Sequence, residues 1–247
     1  MKTKKRIQRP LLLILVLVCG LFLNACTIGN GSIIRGDGNV ITATHEVTAF
    51  YNINIQGMFD VVLQPSEGQP LTLETDENLH ELIKISVKNN TLYVSTTKEG
   101  IYRPTKMTLT IPYSQLENIT IGGACKLTSD FPVITRNLAF RISGAADIDL
   151  ELEVTSLNTN VSGAANINLE GTADSHVASL SGASNMRAER LHTQNTSISL
   201  SGAGSAHIYA SNHLDASLSG VGSIRYYGDP QTTRIDRSGI GSIKSAS

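Results

Sequence analysis

Six serines in this chain stand directly before a glycine: Ser143, Ser162, Ser181, Ser201, Ser219 and Ser238. By residue type alone they could be hydroxyl nucleophiles. A catalytic serine of that kind needs a G-x-S-x-G strand-to-helix turn, a histidine base and an acid that orients the base. Here serine precedes glycine, no helical segment follows, and each copy resembles the next. Catalysis requires one hydroxyl made unlike the others, so interchangeable copies argue for architecture.

Asp147, Asp149, Glu151 and Glu153 alternate in GAADIDLELE and are the place to look for a bound cation, although the same alternation suits the solvent face of a strand. Calcium-binding nonapeptide repeats carry Asp in every copy, whereas this acidic stretch occurs once, so no metal site is assigned. His45, His80, His176, His192, His207 and His213 show no H-x-x-x-H or H-E-x-x-H spacing and are expected at solvated or edge positions. Cys125 takes the place of a small residue found in the other copies, which predicts a packed thiol. Tyr226 shares a column with Leu150, Leu169 and Ile208 and is expected in the core or cap, with Tyr227 exposed. These residues imply no catalytic group and no cofactor.

The Ser-Gly phrase belongs to a repeat: IGGACKL, ISGAADIDL, VSGAANINL, LSGASNMRA, LSGAGSAHI, LSGVGSIRY and RSGIGSIKS. The central glycines Gly123, Gly144, Gly163, Gly182, Gly202, Gly220 and Gly239 are spaced by 21, 19, 19, 20, 18 and 19 residues. Two positions before them stand Ile121, Ile142, Val161, Leu180, Leu200 and Leu218, and four positions after stand Leu127, Ile148, Ile167, Met186, Ala206, Ile224 and Ile243. Such alternation is a strand pattern. A period near 19 without intervening helices predicts an all-β parallel solenoid with one coil per repeat. At a strand spacing of ~4.8 Å, seven coils make a rod on the order of 34 Å long. The glycines are expected at its stacked corners, where positive φ or close backbone approach favours them. A polar column, Asp147, Asn166, Asn185, Ser205, Ser223 and Ser242, would bond turn amides of adjacent coils or serve as a ligand ladder. Arg237 stands in the last copy where the others carry Ile, Val or Leu, which marks residues 234–247 as the expected end of the rod.

The amino-terminal residues are of another kind. MKTKKRIQRP carries five basic and no acidic residues, and an apolar run from Leu11 to Leu23 follows, broken by Gly20. The run is short for a membrane span and reads as a signal sequence. Its end, LNAC, resembles the lipobox of bacterial lipoproteins. That resemblance implies cleavage before Cys26, lipid on its thiol, and, with Thr27 next, the outer membrane of a Gram-negative cell. The expected segments are a signal peptide at 1–25, a tether at 26–38, and one domain at 39–247, divided into 39–115 and the repeat coils 116–247. Removing 1–25 would take five of 20 basic residues and none of 21 acids, moving the charge from -1 to 15 − 21 = −6. That balance disfavours nucleic acid as a partner. Cys19 would leave with the signal, so Cys125 would have no thiol to pair with.

Before the repeat, strands are expected throughout, except for a short helix at Asp76 to Ile83 capped by Asp76, and hairpin-like breaks are expected at SEGQP and KNN. The ordered set GNVIT, Phe50, FDVVLQ, LTLETDENL, VKNNTLYV and the serial SGA phrases resembles the bacterial family of auto-transporter adhesins, head GIN domain. The resemblance implies a right-handed parallel β-helix like that of pectin lyases without their catalytic residues, and a role in adhesion at the cell surface. It carries no site residues. The reading is of a lipid-anchored envelope protein without catalysis, held to the membrane through Cys26 and binding a protein or glycan. The alternatives are a periplasm-facing structural or sensory scaffold and, last, a carbohydrate-active enzyme.

Overall fold

Each SGA phrase bends the chain between two strands that pair, in parallel, with the same strands of the coils before and after. The computed structural model describes residues 32–66 and 68–246. The signal segment, Cys19 and Cys26 lie outside the described residues. Ile121 pairs with Ile142, Ile142 with Val161, Val161 with Leu180, Leu180 with Leu200 and Leu200 with Leu218 on the pre-corner sheet. On the post-corner sheet Ala124, Ala145, Ala164, Ala183, Ala203, Val221 and Ile240 stand in one register. The solenoid of roughly 19-residue coils expected from the spacing is the fold observed.

The seven central glycines are absent from the residues with positive φ. Close approach is what requires them: a Cβ on Gly144 would overlap the carbonyl oxygen of Gly123, and one on Gly163 that of Gly144. The overlap recurs at Gly182, Gly202, Gly220 and Gly239. Ala145 and Ala164 donate their N–H to those same carbonyls, Gly123 at 2.9 Å and Gly144 at 3.0 Å, so the corner is hydrogen-bonded as tightly as the strands beside it.

Register carries the corner back to one copy not found by period. Ile55 pairs with Ile121 and Met58 with Ala124, and a Cβ on Gly123 would overlap the Gly57 carbonyl. IQGMFDV is therefore an eighth version of the phrase. The 66 residues from Gly57 to Gly123 hide it, because they form a cap. In that cap Val40–His45 pairs antiparallel with Leu71–Asp76, which pairs antiparallel with Met107–Tyr113, which lies parallel to Met58–Pro65. SEGQP is thus no hairpin, since Met107–Tyr113 separates the strands it joins. KNN is one: Asn89 and Asn90, both at positive φ, turn Ile83–Lys88 onto Thr91–Thr96, as a two-residue loop with the right twist requires. Antiparallel strands thus close this end of the solenoid.

Ile33–Arg35, expected within the tether, runs parallel to Ile101–Arg103. The expected helix is a 3-10 turn, Glu77–Leu82, and Asp76 does not cap it with its side chain. Asp76 is buried and accepts hydrogen bonds from the N–H groups of Gly38 at 2.8 Å and Thr105 at 2.7 Å. Burial pushes its carboxyl up, but these bonds outweigh that and hold it below the usual carboxylate range. At the other end Arg237 is exposed and donates to the carbonyl of Gly241 at 2.9 Å. Among the described residues, no helix is long and apolar enough to cross a membrane.

The core runs along the rod axis as stacks of like residues. Aromatic rings fill its amino-terminal part, with Phe50, Phe59, Tyr102, Tyr113 and Phe140 buried, and Ala, Ile and Leu fill the later coils. Each fully buried Ile or Leu contributes about 1.5–3 kcal/mol of transfer free energy, so the stacks provide the main drive for coil stacking. Thr159, His176, Thr193 and Thr196 interrupt these stacks. Their hydroxyls are satisfied internally: Thr196 donates to the Tyr209 carbonyl at 2.7 Å, and Thr159 meets His176 Nε2 at 3.2 Å.

Candidate functional site

The strand pattern assigns every second residue after the corner to solvent, so the post-corner sheet displays three parallel outward columns. The first is apolar: Met58, Ala124, Ala145, Ala164, Ala183, Ala203, Val221 and Ile240, all exposed. The second is polar: Asp60, Lys126, Asp147, Asn166, Asn185, Ser205, Ser223 and Ser242. The third holds Thr128, Asp149, Asn168, Arg187, His207, Arg225 and Lys244.

Within the second column the side chains bond to one another rather than to turn amides. Asn185 Nδ2 donates to Asn166 Oδ1 at 3.3 Å, and Ser205 Oγ donates to Asn185 Oδ1 at 3.1 Å. In the third, Asn168 Nδ2 donates to Asp149 Oδ1 at 2.7 Å. An open groove of about 580 Å³ runs between these columns, bordered by Asp147, Asn166, Asn185, Arg187 and His207. Its shape spans several strands, with the polar groups already ordered by their neighbours.

Two of the corner serines donate to strand carbonyls. Ser181 Oγ donates to the Val161 carbonyl at 3.1 Å and Ser162 Oγ to that of Ile142 at 3.4 Å. Among the described residues the histidine–hydroxyl contacts are Thr159 with His176, in the core, and Thr232 with His213, at the surface, and none of the six serines has a histidine partner. Asp147, Asp149, Glu151 and Glu153 are all exposed along one strand, Ala145–Val161. Successive carboxylates on such a strand originate ~6.7 Å apart. Among the described residues, no three His, Cys, Asp or Glu side chains gather as a metal ion requires.

His176 departs from the expectation for the histidines. It is buried between Leu157 and Thr196 of the flanking coils, and burial pushes its imidazole down to about 4. His192 and His213 are exposed, and His45, His80 and His207 are half-buried. Tyr227, expected exposed, is half-buried with its ring 6.1 Å from that of His207, and Tyr226 packs partly against the core. Cys125 is buried beside Ala146, and burial, with Asp60 nearby, pushes its thiol up to about 12. At pH 8 its thiolate fraction falls on the order of a thousandfold below that of a free cysteine. Native protein should therefore resist iodoacetamide at Cys125 and react within minutes in denaturant; equal rates by mass spectrometry would show the thiol accessible.

The third column was not singled out from sequence, yet its signal was there. Arg187, His207, Arg225 and Lys244 each stand five residues after a corner glycine, one strand step beyond the last column aligned.

Comparison with known proteins follows the same geometry. A putative adhesin from Bacteroides fragilis superposes with a TM-score of 0.83 at 28% identity, covering 86% of this chain and 100% of that one. A putative lipid binding protein from Parabacteroides distasonis gives 0.72 at 20% identity over 87% and 100% of the two chains. A putative adhesin from Parabacteroides merdae gives 0.66 at 21% identity over 87% and 99%. The last two establish likeness of fold alone. No curated protein matches the chain. The sequence pattern of one family, described as "Putative auto-transporter adhesin, head GIN domain", matches residues 49–230, from the approach to the first corner to the strand before the last coil, and the chain belongs to that family.

Proposed function

We propose that this chain is a lipid-anchored, non-catalytic interaction module of the cell envelope, displayed for adhesion, and that the post-corner sheet is its binding surface. One observation carries the reading: outward columns kept in register over successive coils, with their carboxamides and hydroxyls bonded side to side. A preordered surface loses little side-chain entropy when a ligand settles on it. Membership of an adhesin family supports the same reading.

Anchoring is assigned to Cys26, which lies outside the described residues, through lipid on its thiol. Several acyl chains on one residue anchor firmly, because each buried methylene contributes about 0.8 kcal/mol. Intact cells treated with protease should lose the domain, and Cys26→Ser should move it from the membrane to the soluble fraction. A domain untouched until the outer membrane is opened would sink the adhesin reading and favour a periplasm-facing scaffold.

A further inference from the structure

The third outward column ends in three cations and a histidine on four successive coils. Arg187 pairs in register with His207, His207 with Arg225, and Arg225 with Lys244. Arg187, Arg225 and Lys244 are exposed, and among the described residues none of the four meets a carboxylate. Some other cations do find carboxylates, as Arg190 with Glu170 and Lys106 with Glu74. The acids of this face lie at its other end: Asp147 and Asp149 share one strand, two coils before Arg187, with Asn168 between Asp149 and Arg187 in the same column. A run of like charge in register, without internal partners, is complementary to a ligand that brings its own row of anions.

We propose that this half of the sheet binds a single linear acidic polysaccharide, laid along the rod axis with its carboxylates or sulfates on the cation column. The proposal rests on the interaction-module reading and names its ligand class. The cation column spans three strand spacings, ~14 Å, which a few sugar residues would cover at about one anionic group per coil. The floor of the groove, Asn185 and Ser205, offers donors and acceptors to sugar hydroxyls. Beside it the first outward column, Ala183, Ala203, Val221 and Ile240, is apolar and exposed, with Ile240 at 76%, and suits the hydrocarbon face of a pyranose ring. A nucleic-acid duplex fits less well, because its dense phosphates would extend past the cations onto Asp147 and Asp149. A lipid surface would have to meet the whole face at once, acids included.

The test uses the purified full chain with polygalacturonate as probe, and with neutral dextran, a short DNA duplex and phosphatidylglycerol vesicles as competitors for the interpretation. Polygalacturonate should bind and dextran should not, and a fourfold rise in salt should weaken binding about tenfold, as counterion release from a few contacts requires. The triple variant R187Q/R225Q/K244Q should lose on the order of tenfold in affinity with its melting temperature unchanged. Ser205→Glu, which keeps every cation but puts a carboxylate into the groove, should lose a similar factor, whereas E151Q/E153Q should not weaken binding. Undiminished binding by the triple variant, or DNA or vesicles held more tightly than polygalacturonate, would overturn the proposal. Failure to bind the probe by a protein that is still shaved from intact cells removes this inference alone. Binding in solution by a protein that is never surface-exposed removes the adhesin reading alone.

Discussion

Gly163→Val should destabilise the protein by on the order of 3–5 kcal/mol, the size reached when a buried backbone contact is forced apart. The added Cβ would occupy the position of the Gly144 carbonyl oxygen, and Ser143 backbone closes the other side. Neither atom belongs to a flexible side chain, so relief requires the coils to separate at the corner. Separation breaks the Ala164 N–H bond to Gly144 at 3.0 Å and the Ser162 N–H bond to Ile142 at 2.8 Å. Gly163 is also an interior corner, and in a one-dimensional stack an interior defect weakens the interfaces on both sides. The thermal midpoint should fall by roughly 6–20 °C, at about 2–4 °C per kcal/mol for a chain of this size. Ser162→Ala, which removes only a long hydroxyl contact to the Ile142 carbonyl, should cost about 1 kcal/mol or less. Equal midpoints for the two variants by circular dichroism would show that the corner tolerates a side chain.

Stability should also fall steeply between pH 6.5 and pH 4 because of His176. In the unfolded chain its imidazole takes a proton near 6.5, whereas in the folded core it does so only near 4. Between those values the unfolded state binds more protons, so stability is full above 6.5 and declines as pH drops toward 4. The folded state should lose roughly 2–3 kcal/mol between pH 8 and pH 4.5 from this one group. Asp76, held below its usual range, acts in the same direction at lower pH, with stability lost as its carboxylate is protonated. His176→Leu isolates the imidazole, because Leu157 already fills the same column one coil earlier. It should lower stability at pH 8, where the Thr159 hydroxyl loses its partner, and flatten the pH dependence. Parallel urea curves for variant and wild type across this range would rule out the histidine as the source.

Why His176 escaped a reading of the sequence is instructive. It stands thirteen residues after Gly163, as Leu157 does after Gly144, so the column was countable. Alternation carried forward from the corner of this coil holds as far as Ala173, then Asp174 and Ser175 both intervene before His176, so parity is lost there. Residues close to the corner were legible because each copy fixes its own origin: Ala124 through Ile240 and Leu127 through Ile243 align without knowledge of the fold. The same count carried one step further would have exposed Arg187, His207, Arg225 and Lys244. Gly57 was hidden for a different reason. Its neighbours in space arrive only after the cap, and a period cannot be measured across an insertion. SEGQP failed likewise, since a turn signal names a reversal and not the strand that will lie beside it.

The sealed amino-terminal end and the uniform corner together make coil number a heritable variable. Duplication or loss of a segment encoding one coil, anywhere between Gly144 and Gly220, leaves the antiparallel strands untouched and joins identical edges. The head can lengthen or shorten across generations in steps of one strand spacing, ~4.8 Å, without a new core having to evolve. The length of the outward columns, and of any ligand that could follow them, would then be set by copy number in the gene.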